Sequence, residues 1–303
     1  MQDDRLPISE LTLLVRDLQA PRAGIFWTDL VCCMLAVQLG LYLSAPFPDA
    51  FVRNFPIAMT GFVLAVLALY RASYFNHELA HHARRLPGFE IAWNLGVGIP
   101  LLIPSFLYSD HRNHRSDPSF ATDSDAEYLP PGLRNMRGAA ALLALAFLLP
   151  IIYLVRFAVL APAAWLVPAV RQWVDVRASG IGLLGLSRRV PPTDSERPIW
   201  RVQEAACFCY LVAIAAGLLI GLIPIELAFQ FYSITATMLV LHGFRIMAGH
   251  RYASKGGVHN RLEQVLDSFN FTHNRPLTWL LVPLGFHLHA LHHPRRQIHP
   301  HSS

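Results

Sequence analysis

The sequence predicts an all-α integral membrane protein with about four membrane-spanning helices. Hydrophobic residues make up 53% of the 303-residue chain and charged residues only 15%, whereas about a quarter of a soluble protein is charged. Several apolar runs reach the ~20 residues that a helix needs to cross a bilayer. The chain also has fifteen histidines, most of them in three groups beside these runs. We therefore expect two transmembrane helical hairpins, re-entrant or interfacial helices and a cytoplasmic, His-rich metal-binding cap.

The first hairpin follows a polar lead-in at residues 1–24. This lead-in is acidic and does not resemble a signal peptide, so we expect the first helix to be retained and residues 25–303 to form one membrane domain. Residues 25–45 and 55–75 are the two predicted spans, and a short Pro-containing turn joins them. Arginines follow the second span closely, which favours the cytoplasmic side for that end.

The middle of the chain contains two less regular apolar stretches. Residues 91–108 are broken by Gly and Pro, which predicts a half-inserted or interfacial segment covered by protein. Residues 138–170 are long enough to span, but Pro150 and Arg156 interrupt them and Arg residues flank both ends. The orientation rule then favours a shallow hairpin that returns to the cytoplasm over a single crossing.

The second hairpin comprises residues 205–223 and 225–245, joined at Pro224. Counting two hairpins places all three His groups on one face of the membrane. The four cysteines lie inside apolar runs, which predicts neither a disulfide nor a Cys-ligated metal. The net charge of +5 is ordinary for cytoplasmic loops and gives no reason to expect nucleic-acid binding.

The His groups have the spacing of metal ligands. Histidines three or four residues apart share one face of a helix, and imidazole is the commonest metal-binding side chain. The seven at these spacings are His77 and His81 in box one, His111 and His114 in box two, and His289, His292 and His293 in box three. A zinc site uses three or four protein ligands, so seven converging imidazoles predict two metal ions.

The expected metal is iron, because zinc has no redox chemistry and iron with open positions activates dioxygen. A metal beside apolar helices suits an acyl chain or another long hydrocarbon as substrate. A metal-bound imidazole usually donates its other N–H to a carboxylate or carbonyl. The neighbouring candidates for such contacts, among which the sequence does not choose, are Glu78, His82, Asp110, Asp117, Asp125, Glu127 and Asp267. We predict no catalytic side chains beyond the metal ligands.

The three boxes together resemble the membrane fatty acid desaturase/hydroxylase superfamily. HELAHH, then HxxH beside a membrane helix, then HALHH near the C-terminus match its order and spacing over residues 25–293, most closely in bacterial fatty acid desaturase-like proteins. The resemblance implies a His-ligated di-iron centre on the cytoplasmic face of the bacterial inner membrane, with dioxygen as co-substrate. It implies electrons from a ferredoxin, rubredoxin or cytochrome b5-type donor, and an acyl-lipid, acyl-CoA or acyl-carrier substrate. It also implies His250, just after the last span, as a further ligand.

The chain departs from the family pattern at two places. Box two is usually HxxHH, and Arg115 stands here at the last position, where its permanent charge prevents it from binding metal. After box three, the family normally continues well beyond the ten residues found here.

We predict desaturation of an acyl chain, and three alternatives stay open. The first is a lipid, alkyl or carotenoid-type hydroxylase of the same superfamily. The second is a zinc metalloprotease, because box one also reads HExxH. The third is an inactive relative, to which the two departures point. The sequence does not determine double-bond position, chain length, acyl carrier or oligomeric state.

Overall fold

The computed structural model describes residues 22–45, 54–82, 85–109, 128–180, 189–253 and 261–271, together with 278 and 281. Within these ranges the chain is helical, and its only β contact is an isolated antiparallel bridge between His250 and Ser268. The α-helices are α1 (Ala23–Leu43), α2 (Phe55–Ser73), α3 (Phe75–His82), α4 (Phe89–Trp93), α5 (Met136–Val155), α6 (Ala161–Leu166), α7 (Pro168–Arg177), α8 (Arg197–Leu219), α9 (Ile225–Gly249) and α10 (Arg261–Asp267).

Five helical stretches are long and apolar enough to cross a membrane. They are Ala23–Leu43, Phe55–Ala80, Met136–Leu166, Arg197–Leu219 and Ile225–Gly249. Their most apolar windows are at most 44% buried inside the protein, so most of this apolar surface faces outward. Such continuous apolar surface is rare in water and normal against lipid. For the described residues, the predicted all-α fold with apolar helices able to span a membrane is confirmed.

No chain reversal lies between Met136 and Leu166, where the sequence predicted a shallow hairpin. The helix continues from Met136 to Leu166 through a π-helical segment at Arg156–Leu160, a length of about 46 Å at 1.5 Å per residue. Pro150 lies inside α5 without ending it. The charge of Arg156 does not require a return to water, because the residue is fully buried and paired with Glu204 on α8. Five helices, against about four predicted, therefore meet the criteria for a span.

Helices α1 and α2 pack closely because glycines face each other. A Cβ atom added to Gly40 would lie 2.6 Å from the backbone nitrogen of Ala65, and one added to Gly61 would lie 2.6 Å from the Leu43 Cβ. Small residues allow this approach in membrane helices. Asp29 of α1 and Arg71 of α2 form a two-pronged ion pair with contacts of 2.8 and 2.7 Å. This pair fixes the α1–α2 hairpin one to two turns before box one.

The other helices extend this hairpin into a bundle. Helix α9 packs against both α2 and α5, and α8 packs against the π-helical segment and α6. The Gln230 amide of α9 donates to the Leu41 carbonyl at 2.9 Å and to the Ser44 hydroxyl at 2.7 Å. On the other flank, Glu204 accepts from Arg156 and from Arg171 of α7. The first turns of α8 are thereby held beside the 3-10 turn Ser105–Tyr108, which precedes box two.

Candidate metal centre and an adjoining polar pocket

Box one stands on a helix that continues the second apolar stretch. Helix α3 follows α2 after Tyr74, and Phe75 and Leu79 on it are buried in the main hydrophobic core. His77 is only 3% exposed, and its Nδ1 lies 3.0 Å from Oε1 of Glu78. The carboxylate therefore sets the orientation of the imidazole ring, and Nε2 is the nitrogen that would bind a metal.

His250 has a similar environment at the end of α9. The backbone becomes extended at this residue, which pairs with Ser268 in the isolated bridge. His250 Nδ1 lies 3.2 Å from the Ser268 hydroxyl and 3.5 Å from Oδ2 of Asp267. Burial raises the pKa of Asp267, but hydrogen bonds from His250, the Ala253 N–H and Tyr128 outweigh burial and leave it below its usual value. Asp267 is thus a carboxylate beside the Nδ1 of His250.

Three described contacts connect the segments that carry the boxes. The ring of Tyr108, three residues before His111, lies edge-on to His77 at 6.3 Å. The ring of Tyr128, at the far end of the box-two loop, lies 5.6 Å from His250. The Leu281 carbonyl, ahead of box three, accepts a 2.7 Å hydrogen bond from Tyr70. The flanks of boxes two and three are therefore anchored near box one and His250.

The structure describes only part of the predicted ligand set. His77, Glu78, His250 and Asp267 are described with their side chains, and His81 and His82 lie on α3 with only their backbone described. Outside the described residues lie Asp110, His111, His114, Asp117, Asp125, Glu127, His289, His292 and His293. Among the residues with described positions, no three His, Cys, Asp or Glu side chains are grouped closely enough to hold a metal ion. The convergence of the boxes stays a prediction.

His77 and His250, the two predicted ligands whose side chains are described, fit a metal centre by their chemistry. Each has a carboxylate beside Nδ1, which is the contact that usually orients a metal-bound histidine and raises its basicity. Each side chain is also at least 94% buried. With Nδ1 beside its carboxylate, Nε2 is the ring nitrogen that remains for a metal. The Glu78 and Asp267 candidates thus occupy the positions expected of supporting carboxylates.

A polar pocket adjoins box one on another side of α3. Its volume is about 140 Å³, and its described lining consists of Asn76, Leu79, Ala80, Glu90, Ser105, Phe106, Ser109, Glu196, Ile199, Trp200 and Gln203. A buried hydrogen-bond network forms one wall. The Ser105 hydroxyl donates to Glu90 Oε1 at 2.7 Å and accepts from Asn94 and Gln203 at 2.9 and 3.0 Å. The network ties α4, the 3-10 turn and α8 together.

Sequence reasoning missed several residues around these sites. Tyr128 and Ser268 contact His250 and were not considered, although Ser268 follows a predicted carboxylate directly. Arg156 was treated as an interruption and Glu204 was not considered, yet they form a fully buried ion pair. The available signal was the position of Arg156 inside an apolar run, since charged residues in such runs usually pair with one another.

Comparisons with known proteins show what this chain is similar to. A family model described as fatty acid desaturase matches residues 53–302. A curated relative, a ceramide hydroxylase from Caulobacter vibrioides (strain NA1000 / CB15N), is 32% identical over 290 residues, which cover 94% of this chain and 81% of the relative. No solved structure matches the chain.

Proposed function

Because the chain belongs to the fatty acid desaturase family, we propose that it is a membrane oxidoreductase that uses dioxygen to hydroxylate the hydrocarbon chain of a ceramide-like lipid. The observation that carries this proposal is the 32% identity to a ceramide hydroxylase across 94% of the chain. The sequence analysis favoured desaturation, with hydroxylation as its alternative. The relative supports hydroxylation at least as well, so we place hydroxylation first and desaturation second.

The proposed metal ligands are the histidines of the three boxes and the histidine after α9. They are His77, His81, His111, His114, His250, His289, His292 and His293. Two irons bound by these imidazoles would supply the dioxygen chemistry needed for an unactivated C–H bond. Glu78 and Asp267 hold the Nδ1 sides of His77 and His250. Apolar helices around this end of the bundle provide the environment in which a hydrocarbon chain approaches.

Hydroxylation and desaturation have the same electron demand and different products. In hydroxylation, a C–H bond, dioxygen, two electrons and two protons give a C–OH group and one water. In desaturation, two adjacent C–H bonds, dioxygen, two electrons and two protons give a C=C bond and two waters. Only the first reaction places an oxygen atom from dioxygen in the lipid. An isotope experiment therefore separates them.

The decisive experiment expresses the chain in a ceramide-containing bacterial host grown under ¹⁸O₂ and profiles the lipids by mass spectrometry. We expect a ceramide that gains one ¹⁸O atom, and its loss in a His292→Ala variant. His259→Ala is the matched control, because His259 lies outside the three boxes. A lipid that loses two hydrogens without gaining ¹⁸O would establish desaturation instead. Unchanged lipids with correctly inserted protein would reject both reactions.

Metal content tests the remaining alternatives. We expect about two irons per chain in purified protein and their loss in His292→Ala. A protease of the HExxH class would hold one zinc, unaffected by His292→Ala, and would use Glu78 as its general base. In the structure, Glu78 Oε1 contacts Nδ1 of the neighbouring His77, as a supporting carboxylate does. Folded protein without metal would favour the inactive relative, for which Arg115 is the motivating residue.

Partners and orientation complete the proposal. We propose an inner-membrane protein in which Met136–Leu166 returns to the side from which it starts, so that all three His boxes face the cytoplasm and receive electrons from a ferredoxin, rubredoxin or cytochrome b5-type protein. Two contacts support this return: Arg134, just before the stretch, donates to the Tyr252 carbonyl beside His250, and Arg156 within it pairs with Glu204 near the start of α8. The Arg residues near the predicted cytoplasmic ends support this orientation. The orientation can be tested with a thiol reagent on an Arg85→Cys variant, because Arg85 is exposed and follows box one. Labelling only after the inner membrane is permeabilised is the expected result, and labelling from the periplasm would reverse the topology.

A further inference from the structure

The polar pocket beside box one has hydrogen-bonding groups that no part of the described protein satisfies. Asn76 is only 7% exposed and lines the pocket, yet its amide makes no hydrogen bond within the part of the chain that is described. Trp200 is 5% exposed, and its indole N–H likewise has no acceptor among the described groups. Neither polar group is among the fully enclosed side-chain atoms that lack a partner in the described structure, so both are accessible from the pocket that these residues line. A molecule in the pocket can therefore hydrogen-bond to both.

The lining also restricts the chemistry of that molecule. Besides the donors of Asn76 and Trp200, it offers acceptors, because Glu90 uses Oε1 for Ser105 and directs no bond from Oε2 to any described residue. The lining residues that the structure describes include two carboxylates and no Lys, Arg or His. Such a lining disfavours a phosphate or carboxylate headgroup by repulsion. It suits a neutral group that both donates and accepts, such as hydroxyls beside an amide.

The guanidinium of Arg189 lies behind the pocket wall and is not part of the described lining. Arg189 is buried and donates to the Phe106 carbonyl at 2.8 Å and to the Ser109 hydroxyl. Its guanidinium lies 4.0 Å from the Trp200 ring centroid, and Phe106 stacks on the same ring at 5.0 Å. Arg189 and Phe106 thus fix the Trp200 ring in the wall of the pocket.

The position of the pocket relative to box one is suitable for a substrate headgroup. Asn76, Leu79 and Ala80 lie on one face of α3, and His77 lies about 100° around the same helix from Asn76. The pocket is at the end of the second apolar stretch and at the start of the fourth, which places it where lipid headgroups meet the hydrocarbon. Its volume of about 140 Å³ is smaller than the ~300–1,000 Å³ of complete small-molecule sites, so it accommodates a headgroup and not a whole lipid.

We propose that this pocket binds the neutral, hydroxyl- and amide-bearing headgroup of the substrate lipid and so determines the part of the chain that reaches the metal centre. The proposal rests on the proposed function for the identity of the lipid as a ceramide. It adds that the headgroup is recognised by Asn76, Glu90 and Trp200 rather than by basic residues. The hydrocarbon chain would remain in the apolar surroundings of the bundle.

The test measures equilibrium binding of a radiolabelled short-chain ceramide to the purified protein in nanodiscs, without turnover. The comparison ligand is the same ceramide with its headgroup hydroxyls methylated, which removes their hydrogen-bond donors. In the wild-type protein we expect ceramide to bind about tenfold more tightly than the methylated lipid, since one lost hydrogen bond to a charged group has roughly this effect. Equal binding of the two lipids, or no ceramide binding, would overturn the proposal.

Two pairs of variants locate the recognition in the pocket. Ile199→Phe narrows the opening, and Val202→Phe is its control, because Val202 is exposed on the same helix and is not part of the lining. Trp200→Phe removes the indole donor, and Trp173→Phe, an exposed residue on α7, is its control. We expect the tenfold preference to collapse in the pocket variants and to persist in the controls. A preference that persists in both pocket variants would refute this site.

The outcome is distinguishable from a failure of the proposed function. Binding is measured without oxidation, so a chain that incorporates no ¹⁸O into lipid still yields the ratio of the two affinities. Conversely, ¹⁸O incorporation together with unchanged ratios in Ile199→Phe and Trp200→Phe would keep the function and reject the pocket as its headgroup site.

Discussion

Replacing Asp267 with Asn should weaken iron retention by a factor of about 10 to 100. In the structure, Asp267 Oδ1 accepts from the Ala253 N–H at 2.9 Å, and Oδ2 lies 3.5 Å from Nδ1 of His250. An asparagine that keeps its oxygen on the Ala253 N–H must turn its NH₂ group toward His250. Two donors then face each other, unless the imidazole moves its proton from Nδ1 to Nε2, where it blocks the nitrogen proposed to bind iron.

The magnitude follows from this single contact. A hydrogen bond between a charged and a neutral group contributes roughly 1.5–3 kcal/mol at ordinary length, and 1.4 kcal/mol corresponds to a tenfold change in affinity. The 3.5 Å contact of Asp267 Oδ2 is longer than an ordinary hydrogen bond and contributes less than the upper end of this range. This range agrees with the loss that usually follows removal of a carboxylate behind a metal-bound histidine. The Ser268 hydroxyl, 3.2 Å from the same Nδ1, offers a substitute partner, so we expect the lower half of the range.

The assay measures iron per chain by elemental mass spectrometry after dialysis against chelators of increasing strength. Asp194→Asn is the matched control, because this carboxylate is fully exposed and forms a 3.4 Å surface pair with Arg197, far from the predicted ligands in sequence. Iron should leave Asp267→Asn at a weaker chelator than it leaves the wild type and Asp194→Asn. If Asp267→Asn and the wild type release iron identically while His292→Ala holds none, Asp267 does not support a metal ligand.

Three further changes test the framework that carries the boxes. Arg71→Leu removes both contacts to Asp29 and should destabilise the protein by roughly 1–3 kcal/mol, which a lower Tm in detergent would report. Changing both residues to Leu should recover part of this stability. If the double variant recovers none of it, the pairing argument is wrong. In Gly40→Leu, the new Cβ would lie 2.6 Å from the backbone nitrogen of Ala65, so overpacking should lower the free energy of unfolding by about 1–3 kcal/mol. Gly24→Ala, whose Cβ would have no atom within 4 Å, should not lower it. Equal Tm values for the two variants would rule out close α1–α2 packing. Tyr70→Phe removes the 2.7 Å hydrogen bond to the Leu281 carbonyl. The free energy of local opening, measured by hydrogen exchange of the backbone amides near residue 281, should fall by roughly 1 kcal/mol. Unchanged exchange there would mean that the tyrosine does not anchor the segment.

The membrane fold was accessible to sequence reasoning because length and hydropathy determine it. Runs of about twenty apolar residues predict spans regardless of how the helices pack, and all of the predicted runs are helical within the described ranges. The prediction of a chain reversal at residues 138–170 arose from treating Pro150 and Arg156 as local signals. Whether a buried arginine is tolerated depends on Glu204, forty-eight residues away, and hydropathy patterns contain no information about such distant partners.

The candidate site was only partly predictable for a related reason. Spacing along a helix indicates which histidines share a face, so His77 and His81 were predicted as ligands together. The carboxylate behind His77 is its sequence neighbour and was found among the candidates, as was Asp267. The polar pocket was not anticipated at all, because its lining combines residues of α3, α4, the 3-10 turn and α8 that are separated by up to 127 positions. Each of these residues is of a type that is common in loops and at helix ends, so none of them stands out in the sequence.

The contacts that link the box-bearing segments share one physical property, which bears on how a metal centre would be assembled here. They are aromatic and carbonyl contacts formed without metal: Tyr108 with His77, Tyr128 with His250, and Tyr70 with the Leu281 carbonyl. Metal sites require their ligands to be held to about half an ångström by surrounding packing and hydrogen bonds. Ligands on four separate segments would otherwise lose much conformational entropy when iron binds. If these contacts order the ligand-bearing segments during folding, less conformational entropy is lost when iron binds. Removing one contact should then weaken iron binding without removing any ligand.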